Sequence, residues 1–261
     1  MDYRTGCSGW SYDFWRGKLY DFQEMPSNFL KIYSKIFDTV EIDSTFYAAQ
    51  GSETVNKWYN SVPDNFLFSP KMPRKITHEN KLQNCEKDLE FFLGNISLLR
   101  EKLGTVLIQL PPDFLYNMES LENFIEMLPE SIKFAIEFRH TSWYRSEVYS
   151  LLQKSRITFA WPVLDYIKPP EIKTTHNLYI RFLGNKSLKK DQLGEIRLNR
   201  REEIDKWVKK ILNNVNGMDT VFIYANNHYE GLSPDTLRYI RKELKLPDTG
   251  VMLADRQKKL F

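Results

Sequence analysis

The chain has 261 residues, of which 42% are hydrophobic, 27% charged and 14% aromatic, and its formal net charge is +3. That balance belongs to a folded globular protein and the length suits one large α/β domain, while the small net charge argues against a blanket polyanion-binding surface and leaves room for a localised basic site. Cys7 and Cys85 form neither a CxxC pair nor a disulfide framework, so a reducing cytoplasm is the simplest setting. The opening residues MDYRTGCSGW lack the basic and apolar regions of a signal peptide, and no apolar run approaches the ~20 residues of a membrane span, so no membrane partner is expected.

Eight short apolar runs read as strands: Arg4 to Ser8, Thr39 to Asp43, Phe66 to Pro70, Thr105 to Gln109, Lys133 to Phe138, Thr158 to Trp161, Leu178 to Phe182 and Val221 to Ala225. Between them apolar residues recur at helical spacing. Phe29, Leu30, Tyr33 and Phe37 make one face, and Leu89, Leu93, Ile96 and Leu103 another. Ile204, Trp207, Val208, Ile211 and Leu212 make a third, with Gly217 as a stop. A last helix starts at Ser233-Pro234, with Ser233 as its cap, and uses Leu237, Ile240 and Leu244. The sixth unit is irregular, because Pro169-Pro170 in PVLDYIKPPEIKTTHN opposes a long helix. Strands alternating with helices predict a parallel sheet, and eight such units predict a single-domain TIM-type (β/α)8 barrel over residues 1–261.

In such a barrel the outward strand face meets helices and the inward face carries side chains toward the C-terminal mouth, where barrel enzymes place their sites. Val40 and Ile42 facing outward put Glu41 and Asp43 inward. By the same alternation Ser69 and Lys71, then Gln109, then Glu137 and Arg139, then Tyr179 and Arg181 face inward. Ser8 ends the first strand, and Asn226, Asn227 and His228 follow the last. Carboxylates, cations and amides therefore converge on one end. Lys71, Arg74, Arg139 and Arg181 suit a clamp for phosphate or carboxylate, and Glu41 and Glu137 suit an acid/base pair. The bland alternative is a structural salt-bridge network.

His78, His140 and His228 follow strand ends, whereas His176 precedes a strand. With Glu41, Asp43 and Glu137 they could hold a divalent metal, but no HExxH or HxH spacing supports one, and loop-fixing is the favoured role. No nucleotide-cofactor motif is present. Aromatic residues crowd the same rim: Trp10, Tyr12, Phe14 and Trp15, then Phe46 and Tyr47, then Trp143 and Tyr144. Most should pack the loops; Trp10, Tyr12, Tyr47 and Trp143 are the ligand-contact candidates. Ser8 lacks a nucleophile elbow, and Cys7 should point away from it into packing.

The segments GCSGWSYDFWRGKLY, TVEIDSTFY, FSPKMPRKITH, QLPPDF, EFRHTSW, YIRFLG and NNHYEG, in this order, resemble the YecE-like family, catalogued as domain of unknown function 72. The resemblance implies a TIM-type barrel and no established activity. It departs at Asp43, where many members have Asn, and at Leu183, where many have His.

The residues thus predict an anion-binding site. It would serve an enzyme acting on a phosphate- or carboxylate-bearing small molecule, with Glu41, Lys71, Glu137 and Arg139 at its centre. The other readings are a nucleic-acid-binding or nucleic-acid-processing barrel and a non-catalytic ligand-binding barrel. In the tail, Gln257, Leu260 and Phe261 faintly resemble a sliding-clamp peptide, but packing of Val251, Met252 and Leu253 is the favoured reading.

Overall fold

Short runs rich in Val, Ile and Phe become strands here because they are buried on both faces, as parallel sheets require. In the computed structural model, which describes residues 1–184 and 187–247, the strands are β1 Asp2–Cys7, β2 Thr39–Ile42, β3 Leu67–Pro70, β4 Val106–Gln109, β5 Phe134–Glu137, β6 Thr158–Phe159, β7 Trp161–Val163, β8 Asn177–Phe182 and β9 Thr220–Ala225. The helices are α1 Phe29–Tyr33, α2 Ser44–Tyr47, α3 Ser52–Asn60, α4 Glu86–Ile96, α5 Met118–Glu126, α6 Ser146–Lys154, α7 Arg201–Asn214, α8 Asn227–Glu230 and α9 Ser233–Glu243. The tail residues Val251 to Phe261 lie outside the described residues. Among the described residues no helix is long and apolar enough to cross a membrane.

The strands pair in parallel in three sheets, ordered β1-β9-β8-β7, β2-β3 and β4-β5-β6. Single bridges from Ser8 to Glu41 and from Lys71 to Leu107 tie the β2-β3 sheet to its two neighbours. The expected sixth strand is split into β6 and β7. Ala160 N–H still donates to Ile136 of β5, but the next residue turned toward that side is Pro162, which has no N–H to give. The ladder to β5 therefore ends there, and β7 continues only along β8. No helix lies between β7 and β8; that stretch instead buries Leu164 and Ile167 against Leu183.

Two apolar layers result. Leu107, Ala135, Ala160, Tyr179, Phe222 and Tyr224, with Leu67 beside them, form a small inner cluster contributed by all three sheets. The larger core lies between outward strand residues such as Val40, Ile42, Phe68 and Ile136 and the helix stripes. The stripes match the expected faces, with two corrections. Leu103 lies beyond α4, which ends at Ile96 and passes into a tighter turn that kinks at Arg100, whose φ is +51°, and Leu212 is 48% exposed. Ser233 does not cap α9 with its side chain; its N–H and Oγ both donate to Asn227 Oδ1.

Gly6 marks the tightest approach between strands. A Cβ there would lie 2.0 Å from the carbonyl oxygen of Thr39, so β1 and β2 meet only because the side chain is absent. Gly94, inside α4, faces open space. Gly6→Ala is expected to destabilise the protein by about 1–3 kcal/mol through overpacking. Gly94→Ala should stabilise it by about 0.5–1 kcal/mol through helix propensity. Urea denaturation of both variants checks the contrast; a neutral Gly6→Ala would contradict the close approach.

Candidate functional site

Strand alternation carries polar side chains past the inner apolar cluster to the C-terminal ends of the strands. There Glu41 of β2, Glu137 of β5 and Arg181 of β8 meet, all fully buried. Arg181 grips Glu41 side-on: Nε donates to Oε2 at 2.7 Å and Nη2 to Oε1 at 2.6 Å. Its Nη1 donates to Glu137 Oε2 at 2.6 Å. Tyr179 and Ser8 add donors to Glu41, each at 2.9 Å. Arg139 Nε donates to the second oxygen of Glu137. Each carboxylate oxygen is thereby engaged, which offsets the heavy desolvation cost of burying charge.

This pairing sets the protonation state. Burial pushes the Glu137 carboxyl up, but the charges of Arg139 and Arg181 and their hydrogen bonds outweigh it and hold the group at about 2 against an ordinary 4.5. Glu137 is therefore a fixed carboxylate, unlike the raised-pKa acid that general-acid chemistry near neutrality needs.

Lys71 stands just past β3 and is 8% exposed. Its main chain is pinned: Lys71 N–H donates to Ile42 O at 3.2 Å and to Thr45 Oγ1 at 3.1 Å, and Thr45 Oγ1 donates to Lys71 O at 2.7 Å. Among the described residues its ammonium makes no ion pair and no side-chain hydrogen bond; it lies 4.0 Å over the Phe46 ring. Burial lowers its pKa, while Asp43 is the strongest opposing influence. His78 packs edge-on to the same Phe46 ring, with ring centres 4.8 Å apart. Its Nδ1 shares a hydrogen bond with Thr77 Oγ1 at 2.9 Å and its Nε2 lies 3.4 Å from Gln109 Nε2. Burial first, then the charges of Lys71, Arg74 and Arg139, lower His78 from 6.5 to about 4. Arg139 extends the face: Nη1 donates to Tyr166 Oη at 2.7 Å and Nη2 to Gln109 Oε1 at 3.4 Å. Lys71, His78, Gln109 and Arg139 thus form one positively biased surface above the carboxylate layer.

Other residues expected at the site divide. Half-buried Asp43 lies beside Lys71, and Tyr47, 78% exposed, stands at the rim. Arg74 is exposed and pairs with Glu79 at 3.5 Å, so it contributes field rather than contact. Trp10 packs edge-on to Trp58, and Tyr12 donates its hydroxyl to Ser8 O. His140 Nδ1 accepts the N–H of Ser142 at 3.1 Å, fixing its loop. Three residues make structural contacts. Trp143 is buried, stacked on Phe138 and donating to Phe114 O. Asn227 Oδ1 accepts from Trp15 Nε1 and from Ser233, and Asn226 Oδ1 accepts His228 N–H as a helix cap. His228 is half-buried in the same turn. Arg181, expected in the clamp, spends its fork on Glu41 and Glu137. The sequence reading missed Tyr166, which sits in the aperiodic stretch after β7, and Thr45, whose hydroxyl gives no periodic signal.

Among the described residues no three of His, Cys, Asp and Glu converge as a cation site. A broad recess of about 1370 Å³ opens at the opposite strand ends, beside Glu126, Lys133, Lys154, Arg156 and Asp219. Its charges are of both signs and lie around the ends of α5 and α6, away from the ordered strand-end cluster.

Removing the cation between two buried carboxylates should be costly. Arg181→Met is expected to lower stability by about 3–5 kcal/mol, because Glu41 and Glu137 lose their shared counter-charge. Glu137 has a folded pKa below its unfolded one, so its contribution is present above the unfolded carboxyl value and is lost as pH falls toward about 2. Urea midpoints at pH 7 and pH 3 measure both effects. An Arg181→Met protein as stable as the parent would contradict the pairing.

The family described as "Protein of unknown function DUF72" matches residues 4–259. The chain is 24% identical to UPF0759 protein YecE of Escherichia coli strain K12, over 89% of this chain and 92% of that one. It is 26% identical to UPF0759 protein YunF of Bacillus subtilis strain 168, over 98% and 99%. Among solved structures, a DUF72 family protein of Thermotoga maritima MSB8 superimposes with a TM-score of 0.80 at 27% identity, covering 94% of this chain and 100% of that one. One from Enterococcus faecalis V583 gives 0.76 at 22% identity, over 96% and 98%. A match of this length, together with the shared mixed α/β fold of parallel sheets, places the chain plainly: it belongs to the DUF72 family.

Proposed function

We propose that the three parallel sheets are arcs of one closed (β/α)8 barrel whose C-terminal mouth binds a small phosphate- or carboxylate-bearing molecule. Closure is supported by the single bridges at β1–β2 and β3–β4 and by the chain continuity of β6 and β7 through Ala160. The observation that carries the binding reading is Lys71. A cation this buried, without an ion pair or side-chain hydrogen bond among the described residues, costs folding free energy that a ligand anion would offset. Arg139 donates to Gln109, and His78, lowered by burial first and then by the charges of Lys71, Arg74 and Arg139, lies in the positive field that an anion would enter. On this reading Glu41, Glu137 and Arg181 hold the floor of the site, and Lys71 and His78 are the groups free to exchange protons. Cytoplasmic residence belongs to the same proposal, supported by two buried, free cysteines.

A second reading, single-stranded nucleic acid at the mouth, has one observation in its favour. Tyr47 and Tyr166, 78% and 58% exposed, stand at the rim as stacking surfaces. It predicts affinity that falls steeply with salt, whereas the enclosed small-anion site does not.

Orthophosphate should raise the melting temperature of the parent protein, since a ligand at 100 times its Kd adds about 2.7 kcal/mol. Lys71→Met should remove that response while raising ligand-free stability by about 0.5–2 kcal/mol, the gain expected when a functional liability is removed. Differential scanning calorimetry with and without phosphate measures both. A variant that is less stable and still responds to phosphate would contradict the reading.

A further inference from the structure

We infer that Lys71 is an imine-forming amine, and that the molecule bound at the mouth is a small aldehyde or ketone carrying a carboxylate or phosphate. This inference rests on the proposed anion site and specifies its ligand. It starts from an amine held where covalent chemistry needs it. The main chain of Lys71 is locked by Ile42 and Thr45, so the side chain leaves the strand end from a fixed point. Nζ sits 4.0 Å from the Phe46 ring and engages no carboxylate in an ion pair among the described residues. An amine that serves only as an electrostatic anchor gains from such a partner. A nucleophilic amine needs its lone pair, and lacking a tight partner in a buried place favours the neutral form.

The charged groups around it fit that role. Asp43, Glu41 and Glu137 favour the ammonium and Arg181 opposes it, with burial the largest influence, and the net direction is downward. Glu41 and Glu137 are already occupied by Arg181 and Arg139. Arg139 is therefore held at the same strand ends by Glu137, Tyr166 and Gln109, where its remaining N–H groups suit the anionic end of the ligand. His78, held neutral above about pH 4 and packed on the same Phe46 ring, is the nearby proton acceptor.

The step balances without a further reactant. The Nζ lone pair forms a C–N bond to the carbonyl carbon, and the C=O π pair moves to oxygen, which takes a proton to give the carbinolamine. The nitrogen gives up one proton at this stage; the hydroxyl, protonated in turn, leaves as water as the nitrogen lone pair forms the C=N bond, and the resulting iminium nitrogen gives up its second proton. Net, amine and carbonyl compound give imine and water, with no change of oxidation state.

The test uses the full chain, pyruvate as the probe and sodium cyanoborohydride to reduce any imine to a stable secondary amine. Peptide mass mapping then locates the adduct. Labelling of Lys71 ahead of every other lysine, and lost when lactate competes, is the expected result; lactate carries the carboxylate but no carbonyl. If lactate raises the melting temperature and Lys71 is not labelled, the imine inference is overturned and the anion site stands. If lactate has no effect on melting and labelling is absent or spread over surface lysines, both fall. Mapping locates the adduct on the parent protein, so no conclusion depends on a variant folding.

Discussion

Arg181 lies between Glu41 and Glu137, and the polar end of the molecule is organised by that contact. One guanidinium from β8 reaches β2 with two parallel hydrogen bonds and β5 with a third. These strands belong to three different sheets, so the ion triad joins at the top what the Leu107, Tyr179 and Tyr224 cluster joins beneath it. Charge at this depth is tolerable only because the fork geometry of arginine matches both carboxylates and because Ser8, Tyr179 and Arg139 satisfy the remaining oxygens.

A saturated triad is a poor reagent and a good floor. Glu137 is held as an ion, all four oxygens of Glu41 and Glu137 are engaged, and the arginine has no reach to spare. What it does is hold Arg139 in place through Glu137, and with it the adjoining Gln109 and Tyr166. Above it, Lys71 and His78 share the Phe46 ring but not the ion pairing. The two layers on these strand ends differ in what engages their charge: Arg181 is taken up by Glu41 and Glu137, whereas Lys71 lies over an aromatic ring.

Much of this was legible in the amino-acid order. Period-two alternation put Glu41, Ser69, Lys71, Glu137, Tyr179 and Arg181 on the inward side because the outward partners Val40, Ile42, Phe68 and Ile136 are apolar. The break between β6 and β7 was also there to be read, since Pro162 lacks the donor that the β5 ladder needs, but the run of apolar residues hid it. Which charges pair is a different matter. Whether Arg181 faces a ligand or Glu41 depends on the distance across the strands from β8 to β2, and no spacing in the chain encodes that distance. Trp143 and Asn227 were placed at the mouth because they follow strand ends. Burial of a loop residue depends on what covers it, and Phe114, Phe138 and Trp15 come from elsewhere in the sequence. Tyr166 was missed for the converse reason: the stretch after β7 has no periodicity, so nothing marked it as part of the site.

If the surface formed by Lys71, His78 and Arg139 binds an anion, as proposed, His78 reports on it directly. Burial, and then the charges of Lys71, Arg74 and Arg139, hold its imidazole at about 4 instead of 6.5. A bound anion offsets those cations, so the imidazole should become easier to protonate. The measurement is an NMR pH titration of the His78 ring protons with and without saturating orthophosphate, with the signal assigned by His78→Gln. The expected result is an upward movement of the His78 pKa toward the ordinary histidine value when phosphate is present. A His78 pKa that is depressed in the free protein and unmoved by saturating phosphate would contradict it.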